Sequence, residues 1–126
     1  MIKVLVVDDA TIMRNILKKT IKEKYTDFHI IEAKDGHDAI DLYKKEKPHL
    51  VTMDITMERK NGLDAAKEIL DIDKNAKIVM VTSLGQEKML SECVRVGVQD
   101  YIVKPFSKER ILSSISTALD KKQDKK

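Results

Sequence analysis

Asp8 and Asp9 stand side by side directly after VLVV (4–7), a run of four branched apolar residues. Asp54 follows a second such run, LVTM (50–53), and Lys104 follows YIV (101–103). Thr82 closes KIVMVT (77–82), with Ser83 next to it. Short apolar runs of this kind read as buried strands. In an open parallel sheet, ligands bind just outside the carboxyl ends of the strands. Three carboxylates, a hydroxyl and an ammonium can therefore meet on one rim. Three carboxylates together repel, and a hard divalent cation is the compensator their chemistry calls for. Mg2+ keeps several waters and takes one or two carboxylates together with phosphate oxygens. One carboxylate is then left to attack a phosphoryl group and form an aspartyl phosphate. Thr82 and Lys104 would bond to and neutralise the equatorial phosphoryl oxygens, which is the work such a transfer needs. On this reading Asp8 and Asp9 hold the metal.

The rest of the chain reads as the frame for these ends. A fifth apolar run, HIIEA (29–33), ends in Ala33 and offers no chemical group. Helical periodicity follows each run. Ile12, Met13, Ile16, Leu17 and Ile21 mark one face of the first helix, and Ala39, Ile40 and Tyr43 that of the second. Leu63, Ala66, Ile69 and Leu70 mark the third, and Met89, Leu90, Cys93 and Val94 the fourth. Ile111, Leu112, Ile115, Ala118 and Leu119 mark the fifth. Gly62 and Gly85 fall near helix starts, and Gly97 reads as a C-terminal stop. Five strand–helix units predict one α/β domain with a parallel sheet covered on both faces.

Composition narrows the function classes. The chain has 126 residues, 42% hydrophobic and 36% charged, which suits a single domain. No stretch approaches the apolar length of a membrane span, and the N-terminus has no signal-peptide pattern. With one cysteine, Cys93, no internal disulfide is available, so a cytoplasmic setting is expected. The net charge of +3 is carried by the tail KKQDKK (121–126), four Lys against one Asp, and leaves residues 1–120 formally neutral. That tail reads as a solvated end, and the absence of a basic stripe on the domain argues against nucleic acid.

Each chemical residue also has an ordinary role to weigh. Asp9 could cap the first helix, Thr82–Ser83 could cap the fourth, and Tyr101 could be a core residue with a wet hydroxyl. His29, His37 and His49 lack metal spacing, and Cys93 sits on an apolar stripe. DIDKNA (71–76) mimics the start of a calcium loop, but Ala76 and Thr82 stand where that loop needs Gly and Glu.

Taken together, VVDDATIMR (6–14), MDITM (53–57), VTS (81–83) and KPF (104–106) resemble the response-regulator receiver family across essentially the whole chain, most nearly its single-domain chemotaxis members. The resemblance implies a flavodoxin-like (βα)5 three-layer sandwich with a five-stranded parallel sheet in the order 2-1-3-4-5. It implies Asp54 as phosphoacceptor from a sensor histidine kinase, Asp9 as a direct Mg2+ ligand and Asp8 as a neighbour acting through water. The Thr56 backbone carbonyl would be a further ligand. Thr82 would be the switch hydroxyl, Lys104 the cationic partner of the phosphoryl group, and Tyr101 the switch aromatic. The peptide before Pro105 is usually cis in this family. The family's usual Pro four residues after the phosphoacceptor is Glu58 here, which should loosen the loop presenting Thr56. Thr56 and Leu84 match variable positions thought to set water access to the phosphoryl group.

The function implied is a phosphorylation-controlled interaction module that is not an enzyme beyond its own phosphorylation and dephosphorylation. The family's output surface lies on the fourth helix, fifth strand and fifth helix, around Met89–Arg95, Tyr101 and Lys108–Leu112. The expected partners are a sensor histidine kinase, a flagellar motor switch protein and a phosphatase, with a monomer sufficient. The alternative is a phosphorelay carrier that passes the phosphoryl group from Asp54 to a histidine phosphotransfer protein. A phosphohydrolase of the haloacid-dehalogenase type is disfavoured, because Ile55 and Thr56 follow Asp54 where that family has a second Asp. Flavin binding is disfavoured by three carboxylates where the flavin phosphate would sit.

Overall fold

Val4, Leu5, Val6 and Val7 are all buried in the computed structural model, which describes residues 1–57 and 60–120. Burying each such side chain stabilises the fold by roughly 2 kcal/mol, which offsets the cost of carrying carboxylates at the strand's end. The expectations attached to Glu58 and to the tail 121–126 lie outside the described residues.

Strands and helices alternate as β1 (Lys3–Val7), α1 (Thr11–Lys24), β2 (His29–Ala33), α2 (Gly36–Glu46) and β3 (Leu50–Met53). They continue as α3 (Gly62–Ile72), β4 (Ile78–Thr82), α4 (Glu87–Val96), β5 (Asp100–Val103) and α5 (Lys108–Asp120). The sheet is parallel in the order β2-β1-β3-β4-β5, as expected. Chain order reverses at β1, which pairs with β2 on one side and β3 on the other. The connections leaving β1 and β3 therefore diverge and open a crevice at their carboxyl ends.

Alternation along each strand divides the core in two. Val4 and Val6 join Leu50, Val79, Val81 and Ile102 under α1 and α5, which supply Leu17, Ile21, Ile111, Ile115 and Ala118. Leu5 and Val7 join Val51, Met53, Ile78 and Met80 under α2, α3 and α4. Helices thus cover both faces in three layers.

Two helix faces differ from the sequence expectation. On α1, Ile12 is 76% and Ile16 44% exposed, while Leu17, Thr20 and Ile21 are buried. On α4 only Cys93 is buried, and Leu90 and Val94 face outward at 40% and 66% exposure. Adjacent helical residues are about 100° apart. Of the adjacent pairs Ile16–Leu17 and Cys93–Val94, only Leu17 and Cys93 are buried.

Local chemistry sets the helix ends. Asp35 caps α2 by accepting from the Asp38 amide at 2.9 Å, and Asn61 caps α3 by accepting from the Asp64 amide at 2.9 Å. Gly97 ends α4 at φ 108°, a left-handed conformation that glycine adopts without steric cost. The Lys104–Pro105 peptide is cis, as anticipated.

Candidate functional site

The turn after β1 delivers Asp8 and Asp9 to the crevice, and the turn after β3 delivers Asp54. Asp8 is 1% exposed and Asp54 5%, whereas Asp9 is exposed. The three residues present carboxylate oxygens that all lie within 4.8 Å of one another. Asp8 is fully engaged: its amide donates to the Ala33 carbonyl at 3.1 Å, and its Oδ1 accepts from the Ala10 amide at 2.9 Å. No side chain caps α1, whose N-cap is Ala10. Among the described residues, the Asp9 carboxylate has no hydrogen-bond or ion-pair partner and is free to serve a ligand.

Lys104 arrives from the end of β5. Its Nζ donates to Asp8 Oδ2 at 2.8 Å and lies 3.6 Å from Asp54 Oδ2. Among the described residues it is the one side-chain cation paired with these carboxylates, so one positive charge faces three negative ones. Burial pushes the Asp54 carboxyl above its ordinary pKa, and the Asp8 charge adds to the rise. Lys104, the Thr56 amide and the Thr82 hydroxyl oppose that rise without cancelling it. Asp54 is therefore a poorly solvated carboxylate with enhanced basicity.

The position of Asp54 depends on Gly62, the first residue of α3. A Cβ at Gly62 would lie 1.9 Å from the Asp54 carbonyl oxygen, so only glycine allows this approach. The Gly62 amide donates to the Ile55 carbonyl at 2.8 Å and ties the loop's return to its start. Thr56 lies within that loop with an exposed side chain, and its amide reaches Asp54 Oδ1 at 3.4 Å.

Thr82, at the end of β4, is fully buried, and its Oγ1 accepts from the Leu84 amide at 3.3 Å. The Leu84 carbonyl in turn accepts from the Tyr101 hydroxyl. Leu84 thus connects the hydroxyl beside Asp54 to the aromatic ring on β5. Gln86, not Thr82 or Ser83, is the N-cap of α4, and it makes no side-chain cap bond.

The structure brings Asp8, Asp9, Asp54, Thr82 and Lys104 to one rim, and places Thr56 beside it. Tyr101 stands one residue further away, reaching the rim through Leu84. The sequence reading gave no role to Arg14, whose Nη1 donates to the Asp8 carbonyl at 2.7 Å. Its place in the first turn of an apolar-faced helix, six residues after Asp8, was the available signal. His49 proves structural, its Nδ1 accepting from the Lys3 amide at 3.0 Å. Cys93 is a core residue, 0% exposed.

Hard oxygen donors, close spacing and uncompensated charge fit a small divalent cation such as Mg2+. No helix among the described residues is long and apolar enough to cross a membrane.

Comparison with known proteins agrees with this geometry. The family model described as response regulator receiver domain matches residues 4–116. The chain is 44% identical to the chemotaxis protein CheY of Thermotoga maritima over 115 residues, covering 90% of this chain and 94% of that one. It is 45% identical to Protein CcdB of Bacillus subtilis over 121 residues, covering 94% and 98% of the two chains. Among solved structures, the CheX–CheY–BeF3–Mg2+ complex from Borrelia burgdorferi matches with a TM-score of 0.89 at 32% identity, covering 95% of this chain and 90% of that one.

Proposed function

This chain belongs to the response-regulator receiver family of two-component signalling, and from that premise we propose that Asp54 accepts a phosphoryl group from a sensor histidine kinase in a chemotaxis pathway. The observation that carries the reading is the convergence of a buried, poorly solvated Asp54 with two further carboxylates, a hydroxyl and Lys104. In the transfer, an Asp54 oxygen forms a bond to phosphorus while the phosphorus–nitrogen bond of the kinase's phosphohistidine breaks. The imidazole nitrogen leaves and takes up a proton. Lys104 Nζ and the Thr82 hydroxyl would meet the charge on the phosphoryl oxygens.

Asp8, Asp9 and Asp54, with the Thr56 carbonyl, are the groups that would hold Mg2+. When bound, the ion neutralises charge on the phosphoryl group. A relative whose complex contains both BeF3 and Mg2+ supports the pairing of these ligands with this fold. With a cation engaging Asp8, Lys104 would be free to move from Asp8 toward Asp54. Drawing Thr82 toward a phosphoryl group would pull on Leu84 and, through it, on Tyr101. The signal would then appear on α4, β5 and α5, where Leu90, Val94 and Val103 are exposed apolar groups.

The proposed output is a flagellar motor switch protein, a reading supported to the level of chemotaxis by the relatives that carry the name chemotaxis protein CheY. A phosphatase would be the expected terminator, given that the Borrelia burgdorferi CheY is found with CheX. The test has two arms. Radiolabelled phosphate should pass from a phosphorylated histidine kinase to the wild type and not to Asp54→Asn. The phosphorylated form should then bind a motor-switch peptide. Transfer onward to a histidine phosphotransfer protein without peptide binding would establish the carrier alternative. Absence of label on the wild type would overturn the proposal.

A further inference from the structure

Arg14 makes three contacts with one guanidinium group. Its Nε donates to Glu32 Oε1 on β2 at 2.9 Å, its Nη1 to the Asp8 carbonyl at 2.7 Å, and its Nη2 to Thr11 Oγ1 at 3.2 Å. The side chain is only 15% exposed, and Lys18 Nζ holds the other Glu32 oxygen at 2.8 Å. The planar fork therefore has a fixed base on β2 and one arm reaching the turn after β1.

The bonded carbonyl belongs to the peptide that joins Asp8 to Asp9. The Asp8 amide is still held by β2, through the Ala33 carbonyl at 3.1 Å. Beyond it the chain leaves the sheet, and the Asp8 carboxylate is fixed by Ala10 and Lys104. Asp9 has no such support, since it is exposed and its carboxylate has no partner among the described residues. Rotation of the Asp8–Asp9 peptide would swing Asp9 away from the other two carboxylates. The bond from Arg14 opposes that rotation at the carbonyl itself, alongside the Ala10 amide, which bonds Asp8 Oδ1 across the same peptide.

We infer that Arg14 is a positioning residue for the cation site, acting through the Asp8 carbonyl to hold the Asp9 carboxylate toward Asp8 and Asp54. The inference rests on the reading that these carboxylates bind Mg2+. It has an unusual sign. A positive charge near a cation site should weaken binding by repulsion, so removing it should tighten binding if charge were its main effect. A positioning role predicts the opposite.

The experiment is calorimetric titration of MgCl2 into the full chain, as wild type, Arg14→Lys and Arg14→Gln, with a urea melt of each. Lysine keeps the charge but has no planar fork to span Glu32 and the Asp8 carbonyl. Both variants should bind Mg2+ about tenfold more weakly at a temperature where each is fully folded, as is typical when a group orienting a metal ligand is lost. Glu32→Ala, which removes the base of the fork at an exposed position, should weaken binding in the same direction by less. It carries the test if the Arg14 variants do not fold. Wild-type affinity in Arg14→Lys with tighter binding in Arg14→Gln would show a charge effect and overturn the inference. Lower stability with unchanged affinity would overturn it too. A wild type that takes up no Mg2+ would refute the underlying metal reading instead, a separate result.

Discussion

Lys104 is bonded to Asp8, at 2.8 Å, and stands 3.6 Å from Asp54, so the cation of the site leans toward the first strand. Asp8 is the more buried of the two carboxylates and has no other charged partner among the described residues. Lys104→Met should therefore destabilise the metal-free protein by roughly 3 kcal/mol, the usual result of stranding a buried charge. Millimolar Mg2+ should restore part of that loss by supplying a replacement cation. Urea melts with and without MgCl2 measure both effects. Equal stability of variant and wild type without metal would contradict the pairing.

Asp54 gives the fold a pH dependence of its own. Its folded-state pKa is raised, mainly by burial and partly by Asp8. The folded protein thus binds this proton more tightly than the unfolded chain does, and stability falls as pH rises through that interval. Asp54→Asn should raise the Tm by a few degrees at neutral pH. The gain should shrink as pH falls through that same interval and be gone below the ordinary carboxylate value. Thermal scans at several pH values test it, and a destabilised Asn variant at neutral pH would count against a desolvated Asp54.

Asp100 should behave conversely. Partial burial raises its pKa, but the Arg110 guanidinium, at 2.9 Å, and the Tyr101 amide bring it down to about 2. A lowered pKa contributes stability that is present above the ordinary carboxylate value and lost as pH falls toward 2. The pair is partly exposed, so Asp100→Asn should cost only about 0.5–1 kcal/mol at neutral pH, fading in acid. Carboxyl NMR of the wild type should show Asp100 titrating well below the ordinary aspartate value and below Asp54.

Gly62→Ala tests the geometry under Asp54. The added carbon meets the Asp54 carbonyl and the Met53 side chain, and backbone cannot yield cheaply. The expected loss is roughly 2–3 kcal/mol, with weaker Mg2+ binding because Asp54 is displaced. Unfolding and Mg2+ titration of the same sample would check this, and an unperturbed variant would refute the close packing.

The sequence carried the frame of the site well, and specific residues show why. Apolar runs located all five strands, with Lys3 and Asp100 added at two starts and Lys77 left out of a third. Asp8, Asp9, Asp54 and Lys104 were visible because each directly follows such a run, and strand ends in a parallel sheet gather on one rim. Ile12, Ile16, Leu90 and Val94 were misplaced because periodicity alone does not give the width of the strip a sheet covers. The roles of Leu84, Gly62 and Arg14 arise from contacts across the fold. No local pattern announces that the Leu84 carbonyl will meet the Tyr101 hydroxyl, and the one trace of the Arg14 contact is its place six residues after Asp8 in the first turn of α1.

Under the proposed function, Asp54 takes up a phosphoryl group with the help of Mg2+. Intact-protein mass spectrometry after incubation with acetyl phosphate tests it most directly, on wild type and Asp54→Asn, with MgCl2 or with EDTA. The wild type with Mg2+ should gain one phosphoryl group, and the other three samples none. An adduct that persists in Asp54→Asn, or that forms equally well in EDTA, would contradict it.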